Sequence, residues 1–221
     1  MAEKILMSEY KALMKEPWTN IELVNENIFE WNVALIPVNS DSAYYGGYFL
    51  ASMSFPRDYP FRPPEFRLTR PLLHPNIYPD GRLCISILHP PGDDAMSGEL
   101  ASERWSPAQR VESVLISVLS LLDDAELSSP ANVDAGVLLR KNPDAYKELV
   151  RRDVEASKQD MPADFVMPTH ESAYRKEEET HNFSWSDSEA EDDFGGSDSD
   201  DDVGFDDEDD DDMDAEESES E

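Results

Sequence analysis

Charged and apolar residues alternate at helical spacing through the first seventeen positions. Ile5, Met7, Tyr10, Leu13 and Met14 form an apolar stripe that stops before Pro17, which predicts an amphipathic helix. Four runs of strand character follow: Ile21 to Val24, Phe29 to Ile36, Tyr48 to Phe55 and Glu65 to Leu68, separated by turn-forming residues. Short connections between them predict an antiparallel meander. Pro56 to Pro64 holds too many prolines for regular structure and is an ordered or a disordered loop; its aromatics favour order. From Leu72 to Trp105 no period is long enough for a standard element. Ser106-Pro107 then reads as a helix cap and first-turn proline. The run Val111, Val114, Leu115, Val118, Leu119, Leu121, Leu122 predicts a buried helix. Residues 131–140 and 143–157 predict two more. Residues 161–181 are a mixed linker.

Charge changes this picture only at the far end. The chain of 221 residues carries a formal net charge of -32, yet no Lys or Arg follows Lys176. From Asp187 to Glu221, Asp and Glu make up more than half of the residues. Such a segment cannot bury enough apolar surface to offset the entropy of ordering it. The expected organisation is a folded domain over 1–160, a linker over 161–186 and a disordered acidic tail over 187–221. The negative charge argues against nucleic acid or an anionic membrane and favours a partner with a basic groove. No stretch reaches the roughly 18 apolar residues of a membrane span, and the N-terminal stripe lacks the continuous apolar run of a signal peptide. A single cysteine, Cys84, excludes an internal disulfide framework and a multi-cysteine metal site; no metal is expected. A reducing intracellular compartment, cytoplasm and nucleus, fits.

The irregular stretch is where function is expected, because long loops in compact domains carry it. Cys84 lies inside it. Taken alone, a lone cysteine is more often a small buried hydrophobe. Its surroundings weigh against that. His74-Pro75-Asn76-Ile77, then Gly81, then Leu83-Cys84-Ile85 resembles the active-site signature of ubiquitin-conjugating enzymes. Tyr59-Pro60-Phe61 with Pro63-Pro64 upstream, and Trp105-Ser106-Pro107-Ala108 downstream, match the same family in order and kind. The resemblance covers roughly 7–154. It implies an α+β fold: an N-terminal helix, a four-stranded antiparallel sheet, a central helix and C-terminal helices. It implies that Cys84 carries ubiquitin as a thioester received from ubiquitin-activating enzyme, which uses the ATP; the domain itself is expected to bind no cofactor.

The chemistry agrees. A thiolate takes an acyl group from another thioester at little net energy change. Attack by a lysine amine then passes through an oxyanion that a nearby amide can stabilise. In the family that amide is Asn76, although holding the loop is an equally serious role for it. His74 reads as structural. A Cys–His hydrolase has no support beyond one Cys and four His residues. The resemblance further implies that Phe61, Ser106, Pro107 and Ala108, with the N-terminal helix, form a face for a RING ligase.

Two departures narrow the subset. Many members have Asp two positions after the cysteine, where this chain has Ser86. Between Leu88 and Trp105 lies an insertion, His89 to Arg104, that contains Asp93, Asp94, Glu99 and Glu103. Serine and insertion together resemble a small group with an acidic loop beside the thioester. The carboxylates are either a solvated surface or, so near the cysteine, a device for handling the incoming lysine. Ser129, before Pro130, falls where other members place an acidic residue at the mouth of the site.

Members of that group with a long acidic extension resemble the cell-cycle enzymes that serve cullin–RING (SCF) ligases and build degradative chains. Shorter members, associated with quality control at the endoplasmic reticulum, lack the extension. About 60 flexible residues after Asp160 span roughly 40 Å r.m.s., and self-repulsion extends them. Such a tail can find a basic surface while the domain docks elsewhere, which raises effective concentration and on-rate. Phe183, Trp185, Phe194 and Phe205 punctuate it, and Ser184, Ser186, Ser188, Ser197, Ser199 and Ser218 each precede an acidic residue by three positions, a pattern suited to acidophilic kinases. A tail that only aids solubility is the plainer alternative. A non-catalytic acidic interaction protein is the alternative of a different class, but it needs neither Cys84 nor Asn76.

Overall fold

The computed structural model describes residues 1–92 and 98–174. The tail and the insertion positions Asp93 and Asp94 lie outside the described residues.

Helix α1 (Ala2–Leu13) buries Ala2, Leu6, Glu9 and Leu13. Of the stripe expected from the sequence, Leu13 is buried and Ile5 and Tyr10 pack against the core. Met7 and Met14 are exposed, because the buried face turns through Glu9, a residue whose charge hides it from any apolar pattern. Strands β1 (Thr19–Val24), β2 (Asn27–Leu35), β3 (Phe49–Ser54) and β4 (Glu65–Leu68) form an antiparallel meander in chain order. Ile21 stands opposite Val33, Val33 opposite Ala51, and Ala51 opposite Leu68. This row, with Trp31, Met53 and Phe66, belongs to the main core. Alternation along each strand puts all of them on one face.

Helix α2 (Val111–Asp123) adds Val111, Val114, Leu115, Val118 and Leu122 to that core. It does not begin at Ser106-Pro107 as expected. Those residues make a turn in which the Gln109 N–H donates to the Ser106 carbonyl at 2.9 Å. The cap comes from elsewhere: the Val111 N–H donates to the Glu9 carboxylate at 2.7 Å, across 102 residues of sequence. A first-turn donor has no intrahelical partner, and here a side chain from α1 supplies one. Helices α3 (Val133–Lys141) and α4 (Pro143–Ser157) start at Asn132 and Asn142, whose side chains accept from the third residue on.

Beyond Asp160, in the stretch expected to be a linker, the chain runs against the outer face of the sheet. Met161, Phe165, Met167 and Ala173 pack on a second cluster built from Ala34, Ile36, Val38 and Tyr48. Arg70 pairs with Asp160 at the start of this segment, and a short helix α5 (His170–Tyr174) ends the described part.

Candidate active site

The segment from His74 to Cys84 is a tight hairpin-like turn. Ile77 bridges Leu83, the Cys84 N–H donates to the Asn76 carbonyl at 2.9 Å, and the Leu68 N–H reaches the Gly81 carbonyl at 2.9 Å. Gly81 has φ +87°, and a Cβ there would lie 2.3 Å from the Leu68 carbonyl oxygen. Only glycine fits this close approach without strain. The loop thereby docks on the edge of β4 and presents Cys84, which is partly exposed.

Behind the cysteine the loop is anchored by side chains that are almost wholly buried. His74 is 0% exposed. Its Nδ1 accepts the Asn76 N–H at 3.0 Å, so the proton sits on Nε2, which faces the Leu121 carbonyl without reaching full hydrogen-bond geometry. Burial pushes the imidazole down to about 4, opposed by that carbonyl. It is neutral at physiological pH and serves as a strut. Asn76 is 2% exposed. Its Nδ2 donates to the Glu126 carbonyl and its Oδ1 accepts the Glu126 N–H, both at 2.9 Å. The side chain thus pairs with both backbone polar groups of one residue in the loop after α2. The Asn132 N–H adds a bond to the Pro75 carbonyl at 2.8 Å. Between those two tethers lies Ser129, exposed, on the loop that they hold against the His74–Cys84 turn.

Tyr78 was not singled out from the sequence. The thiol of Cys84 is the main cause that raises its phenol, ahead of partial desolvation. Only the hairpin closed by Gly81 brings the ring beside the sulfur; its place in the irregular run before the cysteine was the one signal.

On the other side of Cys84, Ser86 opens a short 3-10 turn (Ser86–Leu88). Its hydroxyl donates to Glu99 at 3.0 Å. His89 Nδ1 lies 2.8 Å from the same carboxylate, and Arg104 Nε donates to it at 3.0 Å. Desolvation raises the Glu99 carboxyl, but the bonds from His89, Arg104 and Ser86 outweigh it and hold the group below the usual glutamate range. Glu103 accepts the Leu100 N–H at 3.2 Å, a local cap. The insertion is therefore closed at its base by charged contacts, with Asp93 and Asp94 beyond the described residues.

A third group lies on neighbouring loops. Phe61 is 60% exposed, and Pro107 and Ala108 are exposed with Ser106 half-buried. The Trp105 Nε1–H donates to the Pro60 carbonyl at 2.7 Å, which ties the Phe61 loop to the Ser106–Ala108 turn. Tyr59 on that loop donates to Glu9 of α1 at 3.0 Å. Among the described residues no cluster of His, Cys, Asp and Glu could hold a metal ion, and no helix is long and apolar enough to cross a membrane.

A nucleophile-bearing loop anchored on buried amides, with an ionised cluster on one flank, suits acyl transfer through sulfur. A profile of the family described as "Ubiquitin-conjugating enzyme" matches residues 5–154. The chain belongs to the ubiquitin-conjugating enzyme family. Ubiquitin-conjugating enzyme E2-34 kDa of Saccharomyces cerevisiae is 50% identical over 207 residues, covering 87% of this chain and 70% of the relative. Ubiquitin-conjugating enzyme E2 13 of Arabidopsis thaliana is 49% identical over 158 residues, 70% of this chain and 95% of its own length. Ubiquitin-conjugating enzyme E2 G2 of Homo sapiens is 47% identical over 159 residues, 71% and 96%. The enzyme has the fold implied by the resemblance: helix, four-stranded antiparallel sheet, then helices. Ubiquitin, an activating enzyme and a ligase follow as its partners.

Proposed function

We propose that Cys84 accepts ubiquitin as a thioester from ubiquitin-activating enzyme and passes it to lysines of substrates or of ubiquitin itself. The observation that carries this reading is the placement of the only cysteine, partly exposed, at the end of the loop anchored by Asn76. ATP is consumed by the activating enzyme, and this domain needs no cofactor. The ligase is a cullin–RING ligase that docks on Phe61, Ser106, Pro107 and Ala108 and is steered by the acidic tail. The products are degradative polyubiquitin chains, made in cytoplasm and nucleus. The yeast E2-34 kDa match supports the tail-bearing type, because it extends over 207 residues against 158 and 159 for the other two.

A gel assay with activating enzyme, ATP and ubiquitin tests the nucleophile. A reductant-sensitive adduct is expected on the wild type, and Cys84→Ser should give a reductant-resistant ester or nothing. A reducible adduct on that variant would falsify the assignment. Stopped-flow association with a cullin–RING ligase at rising ionic strength tests the tail. Truncation after Tyr174 should lower the rate most at low salt, where exposed charges act over the longest range. Equal salt slopes with and without the tail would remove the steering role.

A further inference from the structure

No lysine stands between Lys15 and Lys141, a stretch that holds eight arginines. It includes all four strands, the turn that ends at Cys84, the insertion, α2 and most of α3. Lysines occur instead on and just after α1, at the end of α3, on and just after α4, and again at 176. Outside the stretch the two cations make the same kind of pair. Arg151 meets Glu148 and Lys158 meets Glu155, each three residues apart and each at 2.7 Å. Inside it, the contacts do not demand the guanidinium fork. Arg82 meets Asp80 through Nε at 2.7 Å, and Arg62 meets Asp58 through Nε at 2.7 Å. An ammonium makes such contacts too. What separates the two cations is nucleophilicity. A guanidinium stays protonated in proteins, whereas a lysine supplies a neutral amine.

Arg82 is the residue of this set placed beside the nucleophile. The Tyr78 phenol interacts with the Cys84 thiol, and the Arg82 guanidinium carbon lies 5.5 Å from the centre of the same ring. The Tyr78 N–H donates to the Arg82 carbonyl at 2.9 Å. The Arg82 side chain is 66% exposed, so an amine at its tip would not be walled off from the sulfur. We propose that the lysine-free stretch is a specificity feature of the transfer reaction: it denies the ubiquitin thioester an acceptor amine on its own domain, and Arg82 is the position where arginine in place of lysine counts most. This rests on the reading of Cys84 as the ubiquitin carrier. A lysine at 82 would be a tethered nucleophile. Its neutral nitrogen would attack the thioester carbonyl carbon. The C–N bond would form and the C–S bond break, the electron pair leaving on the Cys84 sulfur and the amine's proton passing to that thiolate or to water. The product is an isopeptide on the enzyme, which reductant does not cleave. Such an attack needs no encounter, so it competes with any acceptor that must diffuse in.

The test uses ubiquitin with methylated lysines, so that ubiquitin itself is no acceptor. The enzyme is charged with activating enzyme and ATP, ATP is removed, and the thioester is incubated from about pH 7 to 9. Reducing gels and peptide mass spectrometry give the rate and the site. Arg82→Lys should gather reductant-resistant ubiquitin at residue 82 about tenfold faster than wild type gathers it anywhere. The rate should rise toward pH 9, where more of the amine is neutral. Arg82→Gln and Arg151→Lys should match wild type. The idea is overturned if Arg82→Lys carries the thioester normally while residue 82 stays unmodified. It is equally overturned if Arg82→Lys fails to charge, or if Arg82→Gln gathers the adduct as fast, because the guanidinium itself would then be what matters. Equally fast modification at 151 in Arg151→Lys would also overturn it, because nearness to Cys84 would then count for nothing. Failure of the underlying reading has a different signature: residue 82 of Arg82→Lys is modified at an undiminished rate when Cys84→Ser is added.

Discussion

The two irregular segments that flank Cys84 are held by opposite physics. The turn from His74 to Cys84 is fixed by neutral, largely buried hydrogen bonds, in which Asn76 grips both backbone polar groups of Glu126. The base of the insertion is closed by an ionised carboxylate, Glu99, among charged and polar donors at a junction largely shielded from water. A buried amide pair is indifferent to salt and resists any movement, because each atom left unpaired costs about 1–3 kcal/mol. A charged junction tolerates adjustment and responds to the medium. Cys84 thus follows the neutral, buried anchor, and the charged junction at Glu99 follows Cys84.

The largest break in this contrast is Asn76→Ala. It orphans the Glu126 N–H and carbonyl together, so the thermal midpoint should fall by several degrees, at about 2–4 °C per kcal/mol for a domain of this size. One N–H of the amide is committed to Glu126, but an amide carries two, and the second can still serve a developing oxyanion. Transfer to lysine should therefore slow by a factor of order 10²–10³ beyond any loss of charging. Parallel measurement of charging, discharge and thermal unfolding separates the two roles. Equal losses of charging and discharge would assign Asn76 to the loop alone.

Acid gives the next effect. Burial lowers His74 from 6.5 to about 4. A group whose folded pKa is depressed contributes stability that is complete above the unfolded value, here 6.5, and is lost as pH falls from there toward 4. The linkage amounts to about 3 kcal/mol over that window. Glu9, raised chiefly by desolvation, acts with the opposite sign, favouring the fold at low pH and losing that contribution as pH rises through its folded value. Denaturant titrations of wild type and His74→Gln isolate the His74 share, since Glu9 is common to both. The variant should lose most of the slope between pH 4 and 6.5. The Glu99 junction, held below the usual glutamate range, should stay intact through this window and loosen only at lower pH.

Much of the rigid side was legible in the sequence. The four runs of strand character coincide with β1 to β4, and the signature from His74 to Ile85 pointed to the family that the profile matches. The two helices expected over 131–140 and 143–157 are α3 and α4 to within two residues at each end. What failed was any feature in which a polar residue does a long-range job. Glu9 caps α2 from the other end of the domain, so neither its own burial in α1 nor the true start of α2 could be read from local pattern. Tyr78 and the Glu99 junction depend on loop closure and have no period at all. The stretch after Asp160 was polar enough to pass for a linker, yet Phe165 lies 5.3 Å from the Tyr48 ring, edge on. Truncation for functional work belongs after Tyr174; a cut after Asp160 should cost about 1–2 kcal/mol from the apolar surface uncovered, seen as a lower denaturation midpoint.

Removing charge from the insertion sharpens the contrast further. Carboxylates raise the pKa of an approaching ammonium, which by itself opposes attack, so they can help only by gathering and orienting the lysine or by accepting its proton. A variant carrying Asp93→Asn, Asp94→Asn and Glu99→Gln should be charged on Cys84 yet discharge roughly tenfold more slowly at pH 7. The deficit should shrink toward pH 9. A lysine of pKa about 10.4 is neutral in roughly one molecule per 10³ at pH 7 and in far more at pH 9, so assistance with its proton matters less. A deficit independent of pH would leave orientation as the whole contribution.

The smallest effect separates the two sides by salt alone. The Debye length falls from about 10 Å at 0.1 M to about 3 Å at 1 M. Attraction of a lysine ammonium to the tip of the insertion is weakened over that range, while the contacts among Asn76, Glu126 and His74 carry no net charge and lie in the interior. The Glu99 junction sits between these limits, at 18% side-chain exposure. Raising salt should therefore slow wild-type discharge by no more than about threefold, the scale of a surface pair worth below 1 kcal/mol, with the thermal midpoint little changed. The triply neutralised variant should lose this dependence, whereas Asn76→Ala, already slow, should keep it in full. If the neutralised variant keeps the wild-type salt slope, the charges that lysine senses lie elsewhere on the domain, and the division between a rigid and an adaptable flank does not govern acceptor approach.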